Sequence, residues 1–158
     1  MYKLVIYFFL FLIYLFGCSG KSIVTKNSNI KYEKMSFDVV EKQLIIENNF
    51  PVNLKNELTD WFNNNILVDG IDGKITFTIS NYEEKISELD NGKKVNLSLA
   101  FKAIIEKKSF AYKKIIKGNV EAFSEISGEF SIKDFESLVS NTQLDLIVRL
   151  SRNLKSKI

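Results

Sequence analysis

Two stretches of strict two-residue alternation constrain this chain more than any other feature of its sequence. In the first, Ile75, Phe77 and Ile79 alternate with Lys74, Thr76, Thr78 and Ser80; in the second, Val95, Leu97, Leu99, Phe101 and Ala103 alternate with Asn96, Ser98, Ala100 and Lys102. Successive side chains of a strand point to opposite faces, so a period of two predicts strands with one buried and one wet face. Asp90-Asn91-Gly92 lies between them, and Asn-Gly tolerates the positive φ that tight hairpin turns use. The first strand continues past Tyr82 toward Ile86. After a polar turn at Glu106-Lys107-Lys108-Ser109, Phe110 to Phe123 predicts a third antiparallel strand, with Gly118 as a bulge.

The period changes on either side of this meander. Leu54, Leu58, Trp61 and Phe62 fall at i, i+4, i+7 and i+8, one face of a helix that follows Pro51, with Asn53 as its predicted N-cap. The Asn63-Asn64-Asn65 run and Asp69-Gly70 end it. A longer helix closes the chain. Ser131 and Asp134 have capping-box spacing, with Asp where Glu is usual, and Phe130 and Phe135 have the spacing of a hydrophobic staple. Its predicted inward stripe is Ile132, Phe135, Leu138, Val139, Thr142, Leu146, Leu150 and Leu154. Arg149, Arg152, Lys155 and Lys157 gather where positive charge suits the helix dipole. Upstream, Met35, Phe37 and Val39 predict a first strand, and Leu44-Ile45-Ile46 is a short apolar run that fits either element. The predicted order is β-α-β-β-β-α. That is an α+β fold: an antiparallel sheet with two helices on one face, and Thr, Ser, Asn and Lys on the other.

Composition narrows the chemistry. No histidine occurs, which removes the usual neutral-pH base, the commonest metal ligand and the centre of a hydrolytic triad. A single cysteine excludes both an intrachain disulfide and a thiolate metal cluster. The 22 basic side chains are interleaved with 19 acidic ones for a net charge of +3, without the basic stripe that a nucleic-acid binder carries. No catalytic residue, cofactor, metal or nucleic-acid partner is expected.

The amino-terminal segment behaves unlike the rest. After Met1-Tyr2-Lys3, Leu4 to Phe16 carries no charge. As a helix it would span about 20 Å, short of a ~30 Å hydrocarbon core, so a signal peptide fits better than a permanent span. Leu15-Phe16-Gly17-Cys18 follows, and this block resembles the bacterial lipobox. Leu15, Gly17 and Cys18 match that pattern; Phe16 stands where a smaller residue is usual. The resemblance implies cleavage between Gly17 and Cys18, and a lipid on the Cys18 sulfur. Stable anchoring takes more than one acyl chain, which the multiply acylated cysteine of this class supplies. Ser19 stands where Asp would retain such a protein in the inner membrane. The expected location is therefore the outer membrane, periplasmic side; an inner or sole cell membrane is the alternative. Two plainer readings of Cys18 remain, an incidental residue after an uncleaved membrane helix and a buried core thiol. The expected organisation is residues 1–17 signal peptide, 18–33 lipidated flexible tether and 34–158 a single α+β domain.

Trp61 on its helix, the Gly70…Gly73 turn into Ile75-Thr76-Phe77-Thr78-Ile79, Glu83-Glu84 and the terminal helix are similar to a family of small uncharacterised envelope lipoproteins of proteobacteria. The element order is also similar to that of the lipopolysaccharide-assembly lipoproteins, which plug a β-barrel. Both resemblances imply a non-catalytic interaction or assembly partner for an envelope protein. A carrier of an apolar ligand or lipid, and a hydrolase built on carboxylates or a Ser–Lys pair, are the competing functions.

Several surface features have a plainer reading beside a functional one. Glu83, Glu84, Glu88 and Asp90 form a carboxylate cluster or simply a solvated hairpin end. Lys107-Lys108 and Lys113-Lys114 meet anionic headgroups or only water. Trp61 is an interface anchor or a core residue. Asn96-Leu97-Ser98 matches the glycosylation pattern by chance in a bacterial lipoprotein.

Overall fold

The computed structural model describes residues 32–158 except Phe110. The expected signal peptide, Gly17, Cys18 and nearly all of the tether lie outside the described residues.

The two alternating stretches form the long antiparallel hairpin they predict. Strand β4 (Lys74–Leu89) pairs with β5 (Gly92–Lys107), which pairs in turn with β6 (Tyr112–Ser127). Ile75, Phe77, Ile79, Leu97, Leu99, Phe101 and Ala103 are buried on one face, as the alternation requires. The turn is Asp90-Asn91, and Gly92 rather than Asn91 takes the positive φ. A Cβ on Gly92 would lie 2.0 Å from the Ile126 carbonyl oxygen, so close backbone approach is the reason for this glycine.

Two helices cover the buried face. Helix α1 (Val52–Asn65) lies over β4, with Trp61 edge-on to Phe77 at 5.6 Å and Phe62 at 6.1 Å from the same ring. Helix α2 (Ile132–Lys155) lies over β5 and β6. Its capping box forms as expected: the Asp134 amide donates to Ser131 Oγ at 3.2 Å, and the Ser131 amide donates to Asp134 Oδ2 at 2.9 Å. Phe130 and Phe135 meet at 6.3 Å. The inward stripe differs at two positions. Ile132 is 80% exposed, whereas Ile147 is buried.

The upstream part departs further from expectation. Met35–Phe37 is a strand, β1, but it pairs in parallel with a short β3 (Ile66–Val68) in a separate two-stranded sheet. The ambiguous run belongs to β2 (Glu41–Ile46), which joins the main sheet beside β4 and parallel to it, giving the order β2-β4-β5-β6. The sheet is thus antiparallel except at this edge. The cause is the connection: α1 carries the chain back along the sheet between β2 and β4, and a crossover helix leaves the two strands it joins running the same way. Helix α1 begins at Val52 with Pro51 in the N-cap position and no side-chain cap, so Asn53 lies inside the first turn. Pro51 is already extended (φ −58°, ψ 144°), and its carbonyl accepts the first helical bond from Lys55 N at 3.0 Å.

The bulge also moves. Gly118 sits in unbroken register opposite Phe101, and a Cβ there would come within 2.5 Å of the Phe101 ring. Its role is to let that ring lie across β6, parallel to Phe77 at 5.8 Å. The irregularity falls instead between Ser80 and Glu83, where Asn81 adopts φ 54° and its amide donates to Glu47 Oε2 at 2.9 Å. Asn tolerates the left-handed region better than other non-glycine residues.

Candidate functional site

The bulge decides what the acidic cluster can do. Glu83 and Glu84 are consecutive strand residues and therefore face opposite ways. Glu83 pairs with Lys85 at 2.9 Å; Glu84 accepts from the Tyr82 hydroxyl at 2.7 Å on the helix side of the sheet. Glu88 pairs with Lys93 across the hairpin at 3.1 Å. Among the described residues, no three acidic or cysteine side chains converge as a metal-holding group. Burial, with Glu84 adding to it, pushes the Tyr82 phenol well above its ordinary range; burial, with Glu57 behind it, pushes Tyr32 up to about 12. Both phenols stay protonated at neutral pH, far from the range that suits a general base.

Trp61 is a core residue, 1% exposed, with no hydrogen-bond partner for its Nε1. Asn96 and Ser98 lie on the open face of the sheet. With Glu83, Lys85, Glu121 and Phe123 they line a recess of about 320 Å³. The open face is otherwise a ladder of Thr76, Thr78, Ser80 and Ala100, with Ile45, Ile115 and Phe123 exposed upon it.

The lysine pairs are drawn together with residues far away in sequence. β4 starts, β5 ends, β6 starts and α2 ends at one end of the sheet, here termed proximal because Tyr32 and Glu33 lie there too. Glu33 is paired with Lys155. Two neighbouring recesses open at this end. One, of about 390 Å³, is lined by Phe37, Ile105, Tyr112, Lys114 and Ile158; the other, of about 590 Å³, by Val40, Ile71, Gly73, Lys74 and Lys108. The Lys107–Asp38 ion pair stands between them. Lys113 pairs with Glu106 at 2.8 Å, and Lys114 donates to the Ile158 carbonyl at 3.0 Å. Lys74, Lys108, Lys117, Arg152 and Lys157 hold no ion pair among the described residues.

The opposite, distal end has the reverse sign. Glu83, Glu84, Glu88 and Asp90 on the hairpin are joined there by Glu125 and Glu129. Charge is therefore separated along the sheet, although the whole chain is only +3. The hairpin strands are distinctive as an edge: β2 covers β4 only to Ile79, so Glu83 to Leu89 has no strand partner on its outer side among the described residues.

Lys42 is a residue the sequence pattern gave no reason to single out. It reaches from β2 to the carboxyl end of α1 and donates to Asn63 O at 2.9 Å and Ile66 O at 2.6 Å. A helix end leaves its last carbonyls without partners, and α1 has no basic residue in its own last turn.

No protein-family model matches the chain, and no curated protein matches it. Among solved structures, the fold is similar to a minor lipoprotein from Acinetobacter baumannii, with a TM-score of 0.48 and 15% identity over 76% of this chain and 92% of that one. It is similar to the rare lipoprotein B from Shewanella oneidensis, with a TM-score of 0.46 and 10% identity over 74% and 92% of the two chains. A third is the lipoprotein B from Nitrosomonas europaea, with a TM-score of 0.41 and 9% identity over 80% and 89%.

Proposed function

We propose that the chain is a lipid-anchored, non-catalytic cell-envelope protein that acts as an interaction or assembly partner at the periplasmic face of the outer membrane. The observation that carries this reading is the Leu15-Phe16-Gly17-Cys18 block, placed where an uncharged run too short to span a bilayer gives way to a polar segment. Among the described residues, no helix is long and apolar enough to cross a membrane; membrane attachment is assigned to Cys18 on the pattern of the Leu15–Cys18 block alone.

The described domain supports the non-catalytic part. Glu83 and Glu84 are split between two faces of a strand, the Tyr32 and Tyr82 phenols are held protonated by burial, and the sequence contains no histidine. A carrier of an apolar ligand would need room between helices and sheet. Trp61, Phe77, Phe101 and Leu146 pack there instead, and the larger recesses lie at the proximal end. Specific partners remain to be captured. Crosslinking in intact cells, followed by purification from membranes, is expected to recover the same outer-membrane protein repeatedly with the wild type and not with Cys18→Ala. Repeated recovery of no envelope partner overturns the assembly role.

A further inference from the structure

We propose that the proximal end is a membrane-docking face: anionic lipid headgroups take its unpaired basic side chains while Ile71 and Val40 enter the interfacial layer. The proposal rests on the reading of Cys18 as the lipid anchor, and it adds an orientation that the anchor cannot supply.

An anchor at Cys18 does not by itself fix which end of the domain meets the bilayer. Thirteen residues lie between Cys18 and Tyr32, a stretch that reaches at most about 50 Å if fully extended. β4, with 16 residues at roughly 3.3 Å each, is about as long. Such a leash permits either end of the sheet to meet the bilayer. Charge discriminates between them. Lys74, Lys108, Arg152 and Lys157 are exposed at the proximal end without ion-pair partners among the described residues, beside the acidic Glu41, Asp69 and Asp72; at the distal end Glu84, Asp90 and Glu129 hold no ion pair among the described residues, and Glu83 and Glu88 are paired with Lys85 and Lys93. An anionic surface is felt over about one Debye length, roughly 10 Å, so lipids in contact with one end do not sense the other. Each basic side chain near an anionic surface shifts partition about fivefold.

Ile71 gives the face its second element. It is 97% exposed on the Asp69–Gly73 loop, and with the exposed Val40 it borders the recess lined by Lys74, Lys107 and Lys108 and by Glu41, Asp72 and Glu106. Lys107 and Glu106 are taken up by Asp38 and Lys113, so docking sets Ile71 and Val40 at the acyl boundary with the Lys74 and Lys108 ammonium groups among the headgroups, against the opposing charge of Glu41 and Asp72. Docked this way, the domain presents the acidic hairpin and the unpaired edge of β4 away from the bilayer, where an envelope partner would meet them.

The test uses the full chain, made with its own leader, purified in detergent and reconstituted into vesicles of phosphatidylcholine with or without phosphatidylglycerol. An environment-sensitive fluorophore is placed through Ile71→Cys, or through Asp90→Cys as the distal control; a lipidated Cys18 has no free thiol and stays unlabelled. The expected result is a blue shift at position 71 only in anionic vesicles, reversed by high salt. Lys74→Glu with Lys108→Glu is expected to reduce the docked fraction by more than about tenfold. A position 71 probe indifferent to lipid charge, or equal shifts at both positions, overturns the proposal. Intact mass of the same samples separates the two ideas: absence of an acyl mass on Cys18 overturns the anchor, while a salt-sensitive shift confined to position 71 still supports the face.

Discussion

Lys42→Met isolates one tertiary contact whose effect can be worked out from the structure. The ammonium group donates to two carbonyls at the end of α1, at 2.9 and 2.6 Å, and approaches the Phe62 carbonyl at 3.5 Å. A hydrogen bond with a charged partner contributes roughly 1.5–3 kcal/mol net. Burial lowers the Lys42 pKa, so desolvation of the amine offsets part of that gain. Methionine keeps an apolar stem against the Phe62 ring, over which the amine sits at 5.3 Å, and leaves the carbonyls to water or to no partner. The expected cost is about 2 kcal/mol, at the middle of that range. Urea unfolding of the chain beginning at Ser19 measures it. Amide exchange supplies the mechanism: protection at Asn65 and Ile66 should fall further than protection in β5. A variant within about 0.5 kcal/mol of wild type, with unchanged exchange at the end of α1, would refute the capping role.

Three other perturbations test particular packing and electrostatic claims. Gly118→Ala forces the Phe101 ring away from Phe77 and is expected to cost about 1–3 kcal/mol in urea unfolding; combined with Phe101→Leu, the loss should be less than the sum of the two single changes. Asn81→Val places a β-branched residue at φ 54° and should cost about 1–2 kcal/mol, whereas Asn81→Gly should stay within about 0.5 kcal/mol. Bonds from the Ser131 amide and hydroxyl hold the Asp134 carboxyl below its ordinary value of 3.8. Because the folded pKa is depressed, its contribution is present above the ordinary carboxylate range and is lost as pH falls through the lowered value. The stability gap between wild type and Asp134→Asn should therefore close in acid, and a gap that widened there would reverse the sign of this reasoning.

What could be read from the sequence follows what is local. The hairpin of β4 and β5 and the capping box and staple of α2 are short-range patterns, and each formed at the residues that carried it. Gly118 was legible as special but not in its role, since alternation shows only that a strand lacks a side chain there. The reason is Phe101, a partner on the neighbouring strand about one strand-length away in sequence. The parallel edge was invisible because Leu44-Ile45-Ile46 contains too few residues to set a period, and direction comes from the α1 crossover. Lys42 sits in a strand with nothing nearby to pair with, and its partners are twenty or more residues away. The proximal basic face is assembled from β4, β5, β6 and α2, so an interleaved sequence of nearly balanced charge concealed it.

The acidic hairpin, the open sheet face and the basic proximal end give the domain three chemically distinct surfaces, and an anchor at Cys18 would hold all three within reach of a bilayer. The most direct test of that anchor is incorporation of radiolabelled palmitate into the wild type and into Cys18→Ala, in growing bacteria, read with intact mass. The account predicts label and acyl mass on a chain that begins at Cys18, and neither on the variant. Label that survives the substitution, or its absence from both proteins, would contradict it.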